Sequence, residues 1–167
     1  MQYLRPWSLA DAADLAAIIS NPNILRNLRD GIPYPYTPDQ GEAFLRGTLD
    51  APQDSQYAWA ICAEGRVVGS LALFRKENVH RRTAELGYFL AVDCWGKGIV
   101  TAAVQEACRY IFAETDIVRI FAEPFSYNTG SCRVLEKAGF TLEGVLRKNA
   151  MKDGKILDMP LYSLIRE

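Results

Sequence analysis

The chain has 167 residues, about half of them apolar, with 19 basic and 20 acidic side chains and a formal net charge of −1. That length suits one domain over residues 1–167 with a real core, and the balanced charge removes any electrostatic case for binding nucleic acid or an anionic membrane. Four cysteines without a Cys-x-x-Cys pair and a single histidine, His80, leave no metal-ligand set. Reduced thiols, no signal-like N-terminus and no apolar run of spanning length point to the cytoplasm.

In chain order, Gln2–Trp7 reads as a first strand. Ser8 with Asp11 three residues on approximates a capping box, after which Ala12, Leu15, Ala16 and Ile19 repeat at helical spacing until Asn21-Pro22 stops them. Residues Asn23–Asp30 fit a second helix or an irregular turn, and the alternating prolines of Gly31–Tyr36 exclude regular structure. Thr37-Pro38-Asp39 is a helix start, with a capping hydroxyl, proline at the first position and an acid in the first turn. That helix is expected to turn Phe44, Leu45 and Leu49 inward and to end before Pro52.

Tyr57–Ala63 and Arg66–Phe74 form a hairpin around Glu64-Gly65. A charged turn, Arg75–Arg82, leads to a strand with Leu86, Tyr88, Leu90 and Val92 on one face. The strand breaks at Trp95-Gly96-Lys97-Gly98 and a helix follows, with Val100, Val104, Ala107, Cys108 and Ile111 as its apolar stripe. Ile117–Glu123 is the next strand, reached from a helix and so expected parallel to the one before. A loop, Pro124–Ser131, feeds a helix to about Ala138; Gly139-Phe140 fits a left-handed cap in which Phe140 touches Leu135. Thr141–Lys152 and Lys155–Ile165 are two final strands around Asp153-Gly154. The fold class is therefore a mixed α/β sheet with helices on both faces.

Strand, glycine loop, helix is the arrangement that turns free backbone N–H groups toward an anion. The segment Gly96–Thr101 can hold phosphates in this way, with Lys97 and the Thr101 hydroxyl as side-chain additions. A Walker loop is absent. A dinucleotide fingerprint needs an acid ending the next strand, and Asp116 precedes its strand instead. On the residues alone, the loop reads as holding the phosphates of a cofactor that neither pattern describes.

Three stretches carry a specific resemblance. Trp95-Gly96-Lys97-Gly98-Ile99-Val100 resembles the pyrophosphate motif of the GNAT superfamily of acyl-CoA-dependent N-acetyltransferases; Trp95 stands in place of Gln or Arg and Val100 in place of Gly or Ala. Asn128-Thr129-Gly130-Ser131 followed by Val134–Phe140 resembles the family's second cofactor segment. Arg5-Pro6-Trp7 and Tyr162–Glu167 are similar to the branch that includes the ribosomal-protein N-terminal acetyltransferases. The resemblance spans the chain. It implies a mostly antiparallel sheet of about seven strands with a central parallel pair.

It also implies acetyl-CoA as cofactor and direct transfer of acetyl to a primary amine, a protein N-terminal α-amine in this branch. A small-molecule amine and a non-catalytic acyl-CoA sensor are the alternatives, and a homodimer is left open. Glu85 matches the branch's base position and lies inside a strand where charge is costly, although Lys76, Arg81 or Arg82 could pair with it structurally. Ser131 matches the residue assigned to the leaving thiol, with Tyr127 and Tyr162 in reserve. Asn128 is expected on the pantetheine arm or as a helix cap, and Leu90 and Val92 as main-chain partners of that arm. Cys94 and Cys132 have no base beside them and read as packing residues. The aromatics Trp7, Tyr34, Tyr36, Trp59 and Phe125 carry no assigned specificity.

Overall fold

The computed structural model describes residues 2–167. Seven strands form one sheet: β1 (Leu4–Pro6), β2 (Gln56–Ala63), β3 (Arg66–Arg75), β4 (Thr83–Leu90), β5 (Arg119–Ala122), β6 (Thr141–Lys152) and β7 (Lys155–Ile165). Their order is β1-β2-β3-β4-β5-β7-β6. Every pairing is antiparallel except β4 with β5, the expected central parallel pair. The two hairpin turns form as the residues dictate, with φ of 52° and 75° at Glu64-Gly65 and of 50° and 74° at Asp153-Gly154.

Five helices cover the sheet: α1 (Ala12–Ile19), α2 (Pro22–Leu25), α3 (Pro38–Leu49), α4 (Ile99–Glu114) and α5 (Thr129–Lys137). The α4 stripe packs with Leu71, Leu86, Ile120 and the α5 residue Leu135 in one core. On the opposite face Trp7, Leu15 and Leu45 pack against Ala60 and Val67. Caps set the helix starts. Thr37 Oγ1 accepts from Gln40 N at 3.3 Å while Gln40 Oε1 accepts from Thr37 N at 2.9 Å. The Ser8–Asp11 box forms around a one-turn 3-10 segment, and Arg5 grips Asp11 at 2.7 and 2.8 Å. The α5 end is the expected left-handed cap: Gly139 at φ +98°, Phe140 N donating to Leu135 O at 3.0 Å.

Four boundaries differ from the sequence reading. The first strand keeps only Leu4–Pro6. Asn21-Pro22 ends one helix and also starts another, since Asn21 Oδ1 accepts from Asn23 N at 2.9 Å and proline suits the first position of α2. Of the three α3 residues expected inside only Leu45 is, at 0% exposure, one turn after the buried Gly41; Phe44 and Leu49 are each 49% exposed, off the face that packs against α1. Strand β5 starts two residues late, at Arg119: Thr115 Oγ1 takes the Ile117 N–H at 3.1 Å, while Ile117 itself stays fully buried. Among the described residues no helix is long and apolar enough to cross a membrane, and no His/Cys/Asp/Glu group has metal-site geometry.

Candidate functional site

The site begins where the parallel pair ends. Strands β4 and β5 pair only from Thr83–Glu85 to Arg119–Phe121. Beyond that, β4 runs on to Leu90 paired with β3 alone, and β5 stops at Ala122 before Pro124, which has no N–H to donate. The sheet therefore splits into a V holding a cleft of about 890 Å³. Ala91 N donates to Val68 O on β3 at 2.7 Å, so by strand alternation the main-chain groups of Leu86, Tyr88 and Leu90 face the gap. An open strand edge in a cleft is a partner for a ligand that carries amides.

The glycine loop closes one end. After Leu90 the chain makes a 3-10 turn, Val92–Cys94, held by the Arg66–Asp93 pair at 2.5 Å. Trp95 Nε1 donates to Leu90 O at 2.8 Å and pins the loop to the strand end. Gly96 and Gly98 then take φ of 75° and 77°, where any side chain is strained, and a Cβ at either would meet nothing within 4 Å. In α4 the first intrahelical donor is Ala102 N, to Gly98 O at 3.1 Å. The N–H groups of Ile99, Val100 and Thr101 precede it, no side chain caps them, and all three residues line the cleft. The free donors, the positive helix end and the room kept by two glycines fit a pyrophosphate. Val100 turns its branched side chain into the core, so it does not crowd the backbone's approach to a phosphate.

The opposite wall comes from α5. Asn128 Oδ1 caps it by accepting from Ser131 N at 3.2 Å. That places the Ser131 hydroxyl 2.7 Å from the Tyr88 hydroxyl on β4, and Tyr88 Oη also donates toward Ser131 O at 3.3 Å. Burial pushes the Tyr88 phenol well above its ordinary value, so it stays a neutral donor. Arg133 and Lys137, one turn apart on α5, line the same wall beside Gln105 of α4, whose Nε2 donates to Lys137 O at 3.3 Å. On the third side Asn23–Arg29 and Tyr127 close the mouth; Tyr127 Oη donates to Arg26 O, and the Arg26 guanidinium lies 5.4 Å from the Tyr127 ring centre.

The expected site residues therefore fall into three groups. Leu90, Trp95, Gly96, Gly98, Ile99, Val100, Thr101, Asn128 and Ser131 line one cleft. Val92 and Lys97 do not: the chain has left the sheet edge before Val92, and Lys97 is exposed on the outside of the loop. Leu86 and Tyr88, on the same strand as Leu90, line the cleft instead. Glu85 is the third case. It pairs across from Phe121 at the closed point of the V and is not part of the cleft wall. Its Oε1 accepts from Arg29 Nη2 at 2.8 Å and its Oε2 from Lys76 Nζ at 3.1 Å. Both oxygens of the expected base are thus held by cations, the structural pairing with Lys76 that the sequence allowed.

Of the reserve tyrosines, Tyr162 is buried and donates to Glu136 at 2.8 Å, away from the cleft. Burial raises the thiol values of Cys94 and Cys132, and all four cysteines are free thiols. Trp7 and Trp59 belong to the cores, while Phe125 is buried on the cleft wall. Sequence reasoning missed Tyr88, Arg133 and Lys137. Tyr88 was hidden in an apolar stripe, where its hydroxyl was the available signal; the two cations lay at i, i+4 on a helix already expected to border the site.

The chain is similar to known acetyltransferases. The family model for the acetyltransferase (GNAT) domain matches residues 3–141. The chain is 41% identical over 115 residues to the probable N-acetyltransferase YjcK of Bacillus subtilis, a stretch covering 68% of this chain and 64% of that relative's length. It is 29% identical over 105 residues to the ribosomal-protein-serine acetyltransferase of Escherichia coli, covering 63% of this chain and 58% of that one. Among solved structures, RimJ of Mycobacterium smegmatis in complex with CoA-disulfide superposes with a TM-score of 0.87 at 27% identity, covering 97% of this chain and 80% of that one.

Proposed function

Because the chain belongs to the acetyltransferase (GNAT) domain family, whose activity is acyl-CoA-dependent N-acetylation, we propose that it carries acetyl from acetyl-CoA directly to a protein N-terminal α-amine. The observation behind this reading is the cleft in the split sheet, with a free β-edge on one side and an uncapped helix start at its end. The N–H groups of Ile99, Val100 and Thr101 hold the pyrophosphate, Leu86, Tyr88 and Leu90 pair with the amide-bearing arm, and Arg133 and Lys137 add positive charge along α5. When bound, acetyl-CoA supplies an acetyl group activated on sulfur. Ser131, its hydroxyl 2.7 Å from that of Tyr88, delivers a proton toward that sulfur; a leaving thiol of reference pKa about 8.5 needs only modest help.

Two observations support a peptide acceptor. Arg26 on the mouth opposes a polycation such as spermidine, and the E. coli relative's name specifies ribosomal-protein serine. The test is CoA release from acetyl-CoA with peptides beginning in Ser or Ala, set against spermidine and free amino acids. Peptides are expected to be the faster acceptors. Faster turnover of spermidine would move the reading to a small-molecule amine; tight acetyl-CoA binding with no release from any amine would make the protein a sensor.

A further inference from the structure

Three cations stand at the cleft mouth or beside it, and they differ in what they touch. Arg29 is tied to Glu85 at 2.8 Å and Lys152 to Asp30 at 2.9 Å. Arg26 is exposed, and among the described residues no hydrogen bond or ion pair reaches its guanidinium. One tyrosine holds it in place. Tyr127 Oη donates to Arg26 O, and the guanidinium lies over the Tyr127 ring, 5.4 Å from its centre. Stacking engages the guanidinium face and leaves its planar fork of N–H donors open. Arg26 lines the cleft and also a second groove of about 300 Å³, whose other walls are Pro22, Leu25, Tyr34, Lys152 and Asp153. It therefore marks the junction between the two. Tyr127 precedes Ser131 by four residues, which span at most about 14 Å when extended. The loop is folded tighter than that, with Asn128 N donating to Phe125 O at 2.8 Å and Thr129 N to Tyr127 O at 3.0 Å. Arg26 thus stands within reach of the first few residues of an acceptor whose amine lies beside Ser131.

We propose that Arg26 selects acceptors with an acidic side chain at the second or third residue; this rests on the reading of acetyl transfer to a protein N-terminus above. The α-amine enters the cleft, and the chain behind it leaves past Arg26 into the groove. A carboxylate carried there meets the open guanidinium fork, a match of two parallel N–H donors to two oxygens. A lysine at the same place is repelled. Because Arg26 is exposed, each effect is a few-fold rather than orders of magnitude. Pro22, Leu25 and Tyr34, the last 62% exposed, offer apolar surface to the residues that follow. Asp153 lines the groove but not the cleft, so a departing chain meets it after Arg26. An acid further along is opposed, not favoured. Selection therefore depends on position as well as on sign.

The test uses Ser-initiated peptides with Asp, Ala or Lys at the second, third or fifth residue. CoA release gives kcat/KM, and calorimetry with CoA bound gives peptide affinity without turnover. Attraction of Asp and repulsion of Lys, each about 2- to 5-fold, combine to an Asp-over-Lys preference of about 4- to 25-fold at the second or third residue. The preference should lie in KM and in affinity more than in kcat, and should shrink as salt rises. Asp at the fifth residue should give no gain over Ala. Arg26→Glu should invert the Asp/Lys order, Arg26→Gln should bring the two within about twofold, and Arg26→Lys should keep the order with a smaller ratio. The proposal is overturned if the wild-type protein acetylates Asp and Lys peptides alike. It is equally overturned if Arg26→Glu and Arg26→Gln slow every peptide by one factor at an unchanged Asp/Lys ratio, the mark of a structural residue. In both cases peptides are still acetylated and the transfer reading stands. Should spermidine outrun every peptide, or no amine release CoA, that reading itself falls and takes the selection with it.

Discussion

Removing the Tyr88 hydroxyl interrogates proton delivery at its best-defined contact. Tyr88 Oη and Ser131 Oγ lie 2.7 Å apart, and no other side chain shares that contact. If Tyr88 donates, the Ser131 proton is left pointing toward the cleft. One neutral hydrogen bond contributes about 0.5–1.5 kcal/mol, which is about 2- to 12-fold in a rate constant. Tyr88→Phe should therefore lower kcat by about that factor while acetyl-CoA affinity holds, since the strand's main chain, not the phenol, pairs with the arm. Ser131→Ala removes the donor itself and should cost about 10- to 100-fold, the low end for acid catalysis because the thiol leaves readily. In the Ser131→Ala background the Tyr88 change should have less than about a 1.5-fold effect, because its partner is gone. The assay is CoA release with a thiol reagent at saturating acetyl-CoA, run on all four members of the cycle. Equal Tyr88→Phe effects in both backgrounds would refute the relay. The pH profile gives a second reading: burial raises the Tyr88 phenol, so kcat should not decline from Tyr88 ionisation below about pH 10.

Three further outcomes follow from other contacts. Gly98 sits at φ +77°, so Gly98→Ala should cost about 1–2 kcal/mol in a denaturant midpoint and also weaken acetyl-CoA, whereas Gly98→Asn, which tolerates that backbone, should cost less. Glu143 is held at about 2 by the Arg119 guanidinium at 2.6 and 2.7 Å and by the Ser163 hydroxyl. A depressed carboxyl contributes its full stability above the unfolded value of about 4.3 and loses it as pH falls toward about 2. Glu143→Gln should flatten the acid slope of stability in that window, and an unchanged slope would remove the pair from the account. Leu45→Ala should cost about 2–5 kcal/mol in thermal or urea unfolding, while Phe44→Ala next to it stays within about 0.5 kcal/mol. A large loss at Phe44 would restore the inward face expected of it.

What the sequence determined is local. Glycines at positive φ mark the loop and both hairpin turns because other residues are strained there. Thr37 with Gln40 and Asn128 with Ser131 start helices because side-chain oxygens meet orphan N–H groups, and the α4 stripe buries as its 3.6-residue period requires. The helix between β4 and β5 made the parallel pair legible, and the glycine loop with Asn128–Ser131 located the ligand wall. The tertiary structure alone decided where that pair comes apart, since the splitting of β4 from β5 depends on how far β5 runs before Pro124 draws the chain away. It also decided which polar side chains meet across the gap. Tyr88 and Ser131 are 43 residues apart and Arg29 and Glu85 are 56 apart. No local period encodes such meetings, because they are set by the packing of elements whose positions the whole core determines. For that reason the pairing of Glu85 with Arg29, from a distant segment, was not legible in the sequence, whereas its pairing with Lys76, nine residues away, was among the readings the sequence allowed.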